Sequence, residues 1–142
     1  MIVAQILAAK GRDVATTSGD RTIADVATAL AARKIGALVV TERGRMVGIV
    51  SERDIVKAIG LNGPVILGDP VVSIMTRDVV TCRERDKINT VMARMTQRRF
   101  RHLPVIEDGD LVGIISIGDV VKARIEQVEF EAEELRSYIA TA

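Results

Sequence analysis

Two short segments of this sequence carry the residue types best suited to chemistry. A serine is followed three positions later by an aspartate at Ser51 and Asp54, and again at Ser116 and Asp119. Each pair comes directly after an apolar run, GIV or GII, so each is expected where a strand passes into a helix. A hydroxyl and a carboxylate in that place can cap the helix, and they can also hold the phosphate and the diol of a nucleotide.

The two interpretations of Ser-x-x-Asp use the same geometry. In the capping interpretation the serine accepts a bond from the helix backbone and the aspartate returns one. In the binding interpretation, free N–H groups of the first turn bind phosphate and the carboxylate accepts two ribose hydroxyls. Gly48 and Gly113, just before each pair, would let a flat ring approach the backbone. Both interpretations remain open at this point.

The elements that position these pairs are themselves duplicated. Residues 13–59 and 78–124 align at an offset of 65 with 18 identities in 47 positions and no gap. Each copy reads as a short extended segment, an amphipathic helix, two strands joined by a glycine turn, and a second helix beginning after the serine. The pattern predicts an α+β fold of two β-α-β-β-α units. Units this small are expected to pack their sheets on a shared core.

The domain organisation follows from this duplication. We predict a first repeat over residues 7–60, a linker rich in glycine and proline over 61–71, a second repeat over 72–124 and a helical extension over 125–142. The extension has an apolar stripe on one side and glutamates elsewhere. Because so long a helix has little left to pack on within one chain, it is predicted to contact a partner or a second copy. The stripe consists of Ile125, Val128, Ala132, Leu135 and Ile139.

Composition excludes several classes of function. Aromatic residues are only 2% of the 142, so the core must be aliphatic, and one cysteine forms no internal disulfide. No segment reads as a signal peptide or a membrane span, which predicts a cytoplasmic protein that binds no membrane. Residues 125–142 carry a net charge of −4 and the remainder +5. That balance suits a small anionic ligand and is too low for a nucleic-acid-binding protein.

Other candidate residues give weaker signals. The segment RRFRH, residues 98–102, could contact nucleic acid, but a solvated helix end or a nucleotide phosphate accounts for it better. His102 has no second histidine with which to bind a metal. Neither serine lies in Gly-x-Ser-x-Gly or near a general base, so we predict no enzymatic activity. Cys82 is predicted to be a small buried apolar side chain.

The segments GIVSERD and GIISIGD, with the strands and threonine-rich starts before them, resemble the tandem CBS domains of the Bateman module. The resemblance spans nearly all of residues 7–124 and indicates a stand-alone CBS protein of bacterial type. It implies two CBS repeats packed through their sheets as a pseudo-two-fold module, which commonly forms a homodimer. The family's clefts bind adenine nucleotides such as AMP, ADP or ATP, or NAD(H) or S-adenosylmethionine, and its members sense rather than catalyse.

The resemblance further implies two clefts, each shared between the repeats. The first would be lined by Ser51, Arg53, Asp54, Val80, Thr81, Phe100, Arg101 and His102. The second would be lined by Thr16, Thr17, Ile35, Gly36, Ala37, Ser116, Gly118 and Asp119. Because the first cleft holds the basic residues, phosphate is expected to bind more strongly there. Gly118 would make the second cleft roomier or looser.

Two functions of different class are compatible with the sequence. The first is a regulatory adenine-nucleotide sensor of energy or redox state in signal transduction, acting on an effector protein that the sequence does not identify. Its ligand would bridge both repeats and change the preferred packing of the module or its dimer. The alternative is a ligand-free scaffold for dimerisation or protein interaction, with the acidic tail helix as the contact.

Overall fold

The structure is a computed structural model that describes residues 1–141. Those residues form two compact units. The first-repeat unit is residues 14–79, and the second-repeat unit is residues 1–13 together with 80–141. The helices are α1 (Val3–Lys10), α2 (Ile23–Arg33), α3 (Glu52–Asn62), α4 (Ile88–Arg98) and α5 (Ile117–Thr141). The strands are β1 (Thr16–Ser18), β2 (Ala37–Glu42), β3 (Arg45–Ser51), β4 (His102–Glu107) and β5 (Asp110–Ser116).

The first-repeat unit is a three-stranded sheet with α2 and α3 packed against it. Strand β2 lies in the middle, parallel to β1 and antiparallel to β3. The hairpin between β2 and β3 turns at Gly44, whose φ of 76° is one that a residue without a Cβ adopts freely. The core is aliphatic, as the composition predicts, and includes Ile23, Leu38 and Val50.

The segment predicted as a linker is packed onto the first-repeat unit. It contains the short 3₁₀ helix Pro64–Gly68 and ends at the first residue of a second one, Val71–Ser73. Its side chains Ile66 and Val71 are buried in the core of that unit. The Asp69 carbonyl also accepts a bond from the Ile23 backbone N–H at 2.9 Å, next to the start of α2. Glycine and proline here therefore form tight turns over apolar side chains.

The second-repeat unit is a β4–β5 hairpin covered by α4, α5 and the N-terminal helix α1. Cys82 joins β4 through a parallel bridge to Val105, in the place that β1 takes beside β2. Helix α1 has no counterpart in the other unit, and its side chains Val3, Ile6 and Leu7 belong to this core. The N-terminal residues 1–13 therefore belong to the unit of the second repeat.

The duplication extends to strand register. Ala37 pairs with Ser51 in one hairpin and His102 with Ser116 in the other, at the same offset of 65 residues. Both hairpins also have a register shift at the equivalent place, after Val40 and after Val105. The predicted β-α-β-β-α repeats and the α+β fold are confirmed. The copies differ mainly in α1 and in the 25-residue length of α5.

Candidate functional site

At the first site, Ser51 and Asp54 join the end of β3 to the start of α3. The Asp54 backbone N–H donates to Ser51 Oγ at 3.3 Å. The Ser51 backbone N–H and hydroxyl both donate to Asp54 Oδ2, at 2.8 and 3.1 Å. This reciprocal arrangement is a capping box, so the capping interpretation is confirmed here. It uses one carboxylate oxygen and leaves Oδ1 without a partner among residues 1–141.

At the second site, Ser116 and Asp119 repeat this geometry between β5 and α5. The Asp119 backbone N–H donates to Ser116 Oγ at 3.1 Å, and the Ser116 backbone N–H donates to Asp119 Oδ2 at 2.8 Å. Capping is therefore confirmed at both sites. It does not exclude binding, because the aspartate still presents its second oxygen at the helix entrance.

A lysine distinguishes the second site from the first. Lys10 Nζ, from the last turn of α1, lies 2.7 Å from Asp119 Oδ2 and 2.9 Å from the Ile114 carbonyl oxygen. Burial alone would raise the pKa of Asp119, but the hydrogen bonds from Lys10 and the Ser116 backbone outweigh it and hold that pKa below its ordinary value. The Asp119 charge is therefore neutralised by the protein itself.

Sequence reasoning missed Lys10. The signal available was the helical spacing of the apolar residues Val3, Ile6 and Leu7, which places Lys10 one turn beyond Ile6 and Leu7 on the same side of a short helix. That spacing predicts a packed helix, but not which unit it packs on. Asp54, by contrast, has no basic partner among the described residues.

The free N–H groups expected at each helix entrance are fewer than the sequence suggested. The Glu52 N–H donates to the Gly36 carbonyl at 3.0 Å, and the Ile117 N–H donates to the Arg101 carbonyl at 2.8 Å. With the capping bonds included, only one first-turn N–H remains without an acceptor at each site within residues 1–141. These are the N–H groups of Arg53 and Gly118. An anion at either entrance would therefore meet one backbone donor rather than several.

The space beside Gly48 and Gly113 is filled by the chain, which corrects the prediction that a ligand ring approaches there. A Cβ on Gly48 would lie 2.6 Å from Met75 Sδ, and one on Gly113 would lie 2.7 Å from a Leu7 methyl carbon. The glycines are therefore needed for close packing of the protein's own segments, residues 75–76 in one unit and α1 in the other.

Each unit contains some of the predicted residues of each cleft, near one end of its sheet. In the first-repeat unit, Ser51 lies opposite Ala37 in the hairpin, next to Gly36. In the second-repeat unit, Ser116 lies opposite His102, next to Arg101. That the residues of the two repeats face each other across one cleft, as the resemblance implies, stays a prediction.

The remaining predicted residues differ in exposure within their own units. Arg53 and Arg101 are exposed, so their guanidinium groups are accessible to an anion. Val80 and Phe100 pack against the core of the second-repeat unit and are only partly buried. Thr16 and Thr17 form the start of β1, and Ile35 packs against the core of the first-repeat unit. Thr81 is half-buried, and its carbonyl accepts a bond from Arg94 at 2.9 Å.

Cys82 is buried at 2% exposure, which confirms the sequence interpretation. Burial, assisted by the nearby charge of Asp86, raises the pKa of its thiol to about 12. Among the described residues, no three acidic, histidine or cysteine side chains are grouped as metal ligands. No helix within residues 1–141 is long and apolar enough to cross a membrane.

Comparison with known proteins identifies the repeats. The CBS domain profile matches this chain twice, over residues 5–61 and 71–126. The CBS domain-containing protein CBSX3, mitochondrial, of Arabidopsis thaliana is 35% identical over 125 residues, which are 84% of this chain. The chain spans 61% of that plant protein's length.

Three solved structures share the fold over most of their length. A CBS-domain protein from Agrobacterium tumefaciens is 49% identical, with a TM-score of 0.86 over 87% of this chain and 99% of the other. A CBS domain protein from Pyrobaculum aerophilum, complexed with AMP, is 31% identical, with a TM-score of 0.74 over 84% and 89%. The CBS domain pair of protein MJ0100, complexed with 5-methylthioadenosine and S-adenosyl-L-methionine, is 26% identical, with a TM-score of 0.79 over 89% and 98%.

Proposed function

We propose that this chain, which belongs to the CBS-domain family, is a regulatory module that binds an adenine nucleotide and passes the signal to an effector protein. The observation that carries the proposal is the pair of capped helix entrances, at which an aspartate keeps one carboxylate oxygen open. Solved relatives with AMP and with S-adenosyl-L-methionine support a ligand with an adenosine group.

The Asp54 entrance is proposed as the stronger site. Asp54 Oδ1 would accept hydrogen bonds from the ribose 2′- and 3′-hydroxyls, while the Arg53 N–H at the positive end of α3 would donate to a phosphate. Exposed Arg53 and Arg101 would add charge-assisted bonds. A ligand at Asp119 must compete with Lys10 for the carboxylate. The difference supports the expectation, first drawn from the arginines, that phosphate prefers the Asp54 cleft.

The wall for the adenine ring belongs to the same proposal. By resemblance it comes from the opposite repeat, with Val80, Thr81 and Phe100 for the first cleft. A ligand held by both repeats would favour whichever arrangement of the module binds it more tightly, and this differential affinity limits the size of the signal. We propose sensing of energy or redox state without catalysis, in a cytoplasmic protein that forms a homodimer.

A ligand-free scaffold is the second candidate function. Two observations favour it: both Ser-x-x-Asp pairs make capping bonds, and Asp119 already has a cation as its partner. The exposed apolar residues of α5 would then provide the functional contact.

A ligand panel distinguishes the two functions. Titration calorimetry of the purified chain with AMP, ADP, ATP, NAD⁺, NADH and S-adenosylmethionine should give at least one dissociation constant below about 1 mM, or 4.1 kcal/mol of binding free energy. Inosine monophosphate, which lacks the adenine amino group, is the matched control. Absence of binding by all six ligands would favour the scaffold.

A further inference from the structure

Most of helix α5 has no partner within the chain. Of its 25 residues, only Val120 and Ala123 are buried, both in the core of the second-repeat unit. Beyond them the helix continues for about five turns, to Thr141. It carries large apolar side chains that are 43% to 66% exposed. Those on one side of the helix are Val121, Ile125, Val128, Leu135 and Ile139, whereas Phe130, at 65%, lies on the opposite side.

The five exposed residues on that first side follow a heptad spacing. With Ala132 included, successive members are separated by four, three, four, three and four residues, which is the 3.5-residue period of a coiled-coil seam. In heptad notation, position a is Ile125, Ala132 and Ile139, and position d is Val121, Val128 and Leu135. At 100° per residue, the seam lies about 130° around the helix from Val120 and Ala123. The helix can therefore pack on its own unit and on a second helix at once.

The charges that flank the seam select the second helix. Flanking position e holds Lys122, Glu129 and Arg136, and position g holds Arg124, Glu131 and Tyr138. In a parallel pair of copies, each g residue faces the e residue five positions further along the other helix. Arg124 then faces Glu129 of the second copy, and Glu131 faces Arg136 of the second copy. Both contacts are attractive, and two-fold symmetry repeats each of them.

An antiparallel pair is disfavoured by the same residues. At the register with the largest overlap, e faces e and g faces g, so Glu129 would face Glu129 of the second copy and Lys122 would face Arg136. Other antiparallel alignments of the two helices relieve this repulsion, but fewer seam residues are then in contact. Arg136 at present pairs with Glu133 of its own helix at 3.3 Å, but both side chains are at least 70% exposed, so this contact is easily exchanged.

We infer that α5 pairs with α5 of a second copy as a parallel, two-stranded coiled coil. Isoleucine at two of the three a positions and leucine at a d position favour two strands. This pairing forms a homodimer and does not require a bound nucleotide. It also gives the homodimer a defined orientation, with the two second-repeat units at the same end of the paired helices.

Sedimentation equilibrium of the full chain tests the pairing. The wild type is expected to be dimeric, and Leu135→Glu should raise the dimer dissociation constant at least roughly tenfold, because it places two carboxylates in the seam. Ser137→Glu, the same new side chain on the opposite side of the helix, should leave it unchanged. Circular dichroism verifies that both variants fold. A monomeric wild type overturns the proposal and would indicate that the seam binds a helix of another protein. A dimer insensitive to Leu135→Glu also overturns it.

Charge exchange tests the orientation. Arg124→Glu should weaken the dimer, and adding Glu129→Arg should restore it, since the two positions face each other only in the parallel arrangement. In an antiparallel dimer the double variant stays weak. A disulfide at Val128→Cys under mild oxidation, absent at the outward position of Phe130→Cys, is expected as well. The native Cys82 does not interfere because it is buried. Failure of both the charge rescue and the disulfide overturns the parallel coiled coil.

Discussion

The two Ser-x-x-Asp entrances have the same backbone and different electrostatics. Each aspartate accepts the serine N–H at 2.8 Å, and each serine hydroxyl accepts the aspartate N–H. At Asp119, however, Lys10 supplies a cation at 2.7 Å, whereas Asp54 has none among residues 1–141. The lysine comes from α1, the one helix without a counterpart in the other repeat. Helix α1 thus gives the two duplicated entrances different electrostatics.

This difference shows how a duplicated site can diverge while its own motif stays intact. The serine and the aspartate that define each entrance are unchanged, because the helix beside them needs its cap in both repeats. Besides Arg53 in the place of Gly118, the sites differ by Lys10, a side chain from elsewhere in the chain, which we expect to alter the affinity for an anion or a diol. Substitutions at equivalent positions of the two repeats allow the difference in ligand affinity and in stability to be measured.

The largest expected difference is in ligand affinity. Asp54→Ala removes two hydrogen bonds from the ribose diol to a carboxylate, together worth about 3 kcal/mol, and should raise the dissociation constant about 100-fold. Asp119→Ala should change it less than about fivefold, since that carboxylate is already paired. Titration calorimetry with the best ligand of the panel measures both. Equal losses at the two positions would show that Lys10 does not distinguish the sites.

Stability should also separate the two glycines. Gly48→Ala places a methyl group 2.8 Å from the Thr76 carbonyl, whose backbone is held on both sides by bonds to Ile49, so we expect a loss of about 3 kcal/mol. Gly113→Ala meets only the Leu7 side chain, which can change rotamer, and should cost about 1 kcal/mol. Urea unfolding compares them. The reverse order would mean that Leu7 is the more rigid neighbour.

The caps themselves should be equivalent. Ser51→Ala and Ser116→Ala each remove one acceptor for an aspartate N–H and should each lower the free energy of unfolding by about 1 kcal/mol. Thermal unfolding of the two variants, with Ser137→Ala on exposed α5 as the control, measures this. A cost confined to one of them would mean that the repeats do not depend equally on capping.

The smallest expected effect comes from Lys10→Met. The Lys10–Asp119 pair is partly exposed, so its loss should cost less than about 1 kcal/mol at pH 7. Because the pKa of Asp119 is lowered in the folded state, this contribution is complete above the unfolded value of about 3.9 and is lost as the pH falls through the lower folded value. The free energies of urea unfolding of the two proteins should differ at about pH 6 and converge as the pH is lowered through that folded value. A difference that persists in acid would contradict the pairing.

The sequence predicted local structure well because local structure depends on neighbouring residues. The helical spacing of Ile23, Val26 and Leu30, the turn glycines Gly44 and Gly109, and the caps at Ser51 and Ser116 all act within a few residues, and all are found. Duplication strengthened each prediction, since a pattern present twice is less easily accidental. The fold class followed from these elements and from the resemblance.

What the sequence missed depends on contacts between distant segments. Nothing local to Lys10 indicates that its amine reaches Asp119, more than 100 residues later. Nor does the spacing of glycines 48 and 113 say whether a ligand or the protein fills the space beside them. The glycine and proline content of residues 61–71 predicts a linker between the repeats, but composition does not indicate that Ile66 and Val71 are buried. Which residues form the walls of the two clefts depends likewise on contacts between distant segments, and it stays a prediction.

Helix α1 also sets an order of events during synthesis. Its apolar residues are made before the β4–β5 hairpin, where Leu7 packs against Gly113, so this neighbour of Leu7 emerges from the ribosome more than 100 residues later. A nascent chain that has reached residue 79 contains every residue of the first-repeat unit. At that stage Val3 and Leu7 of α1 still lack the core on which they pack. We expect that interval to be when chaperones bind this chain, and the arrival of β5 to end it.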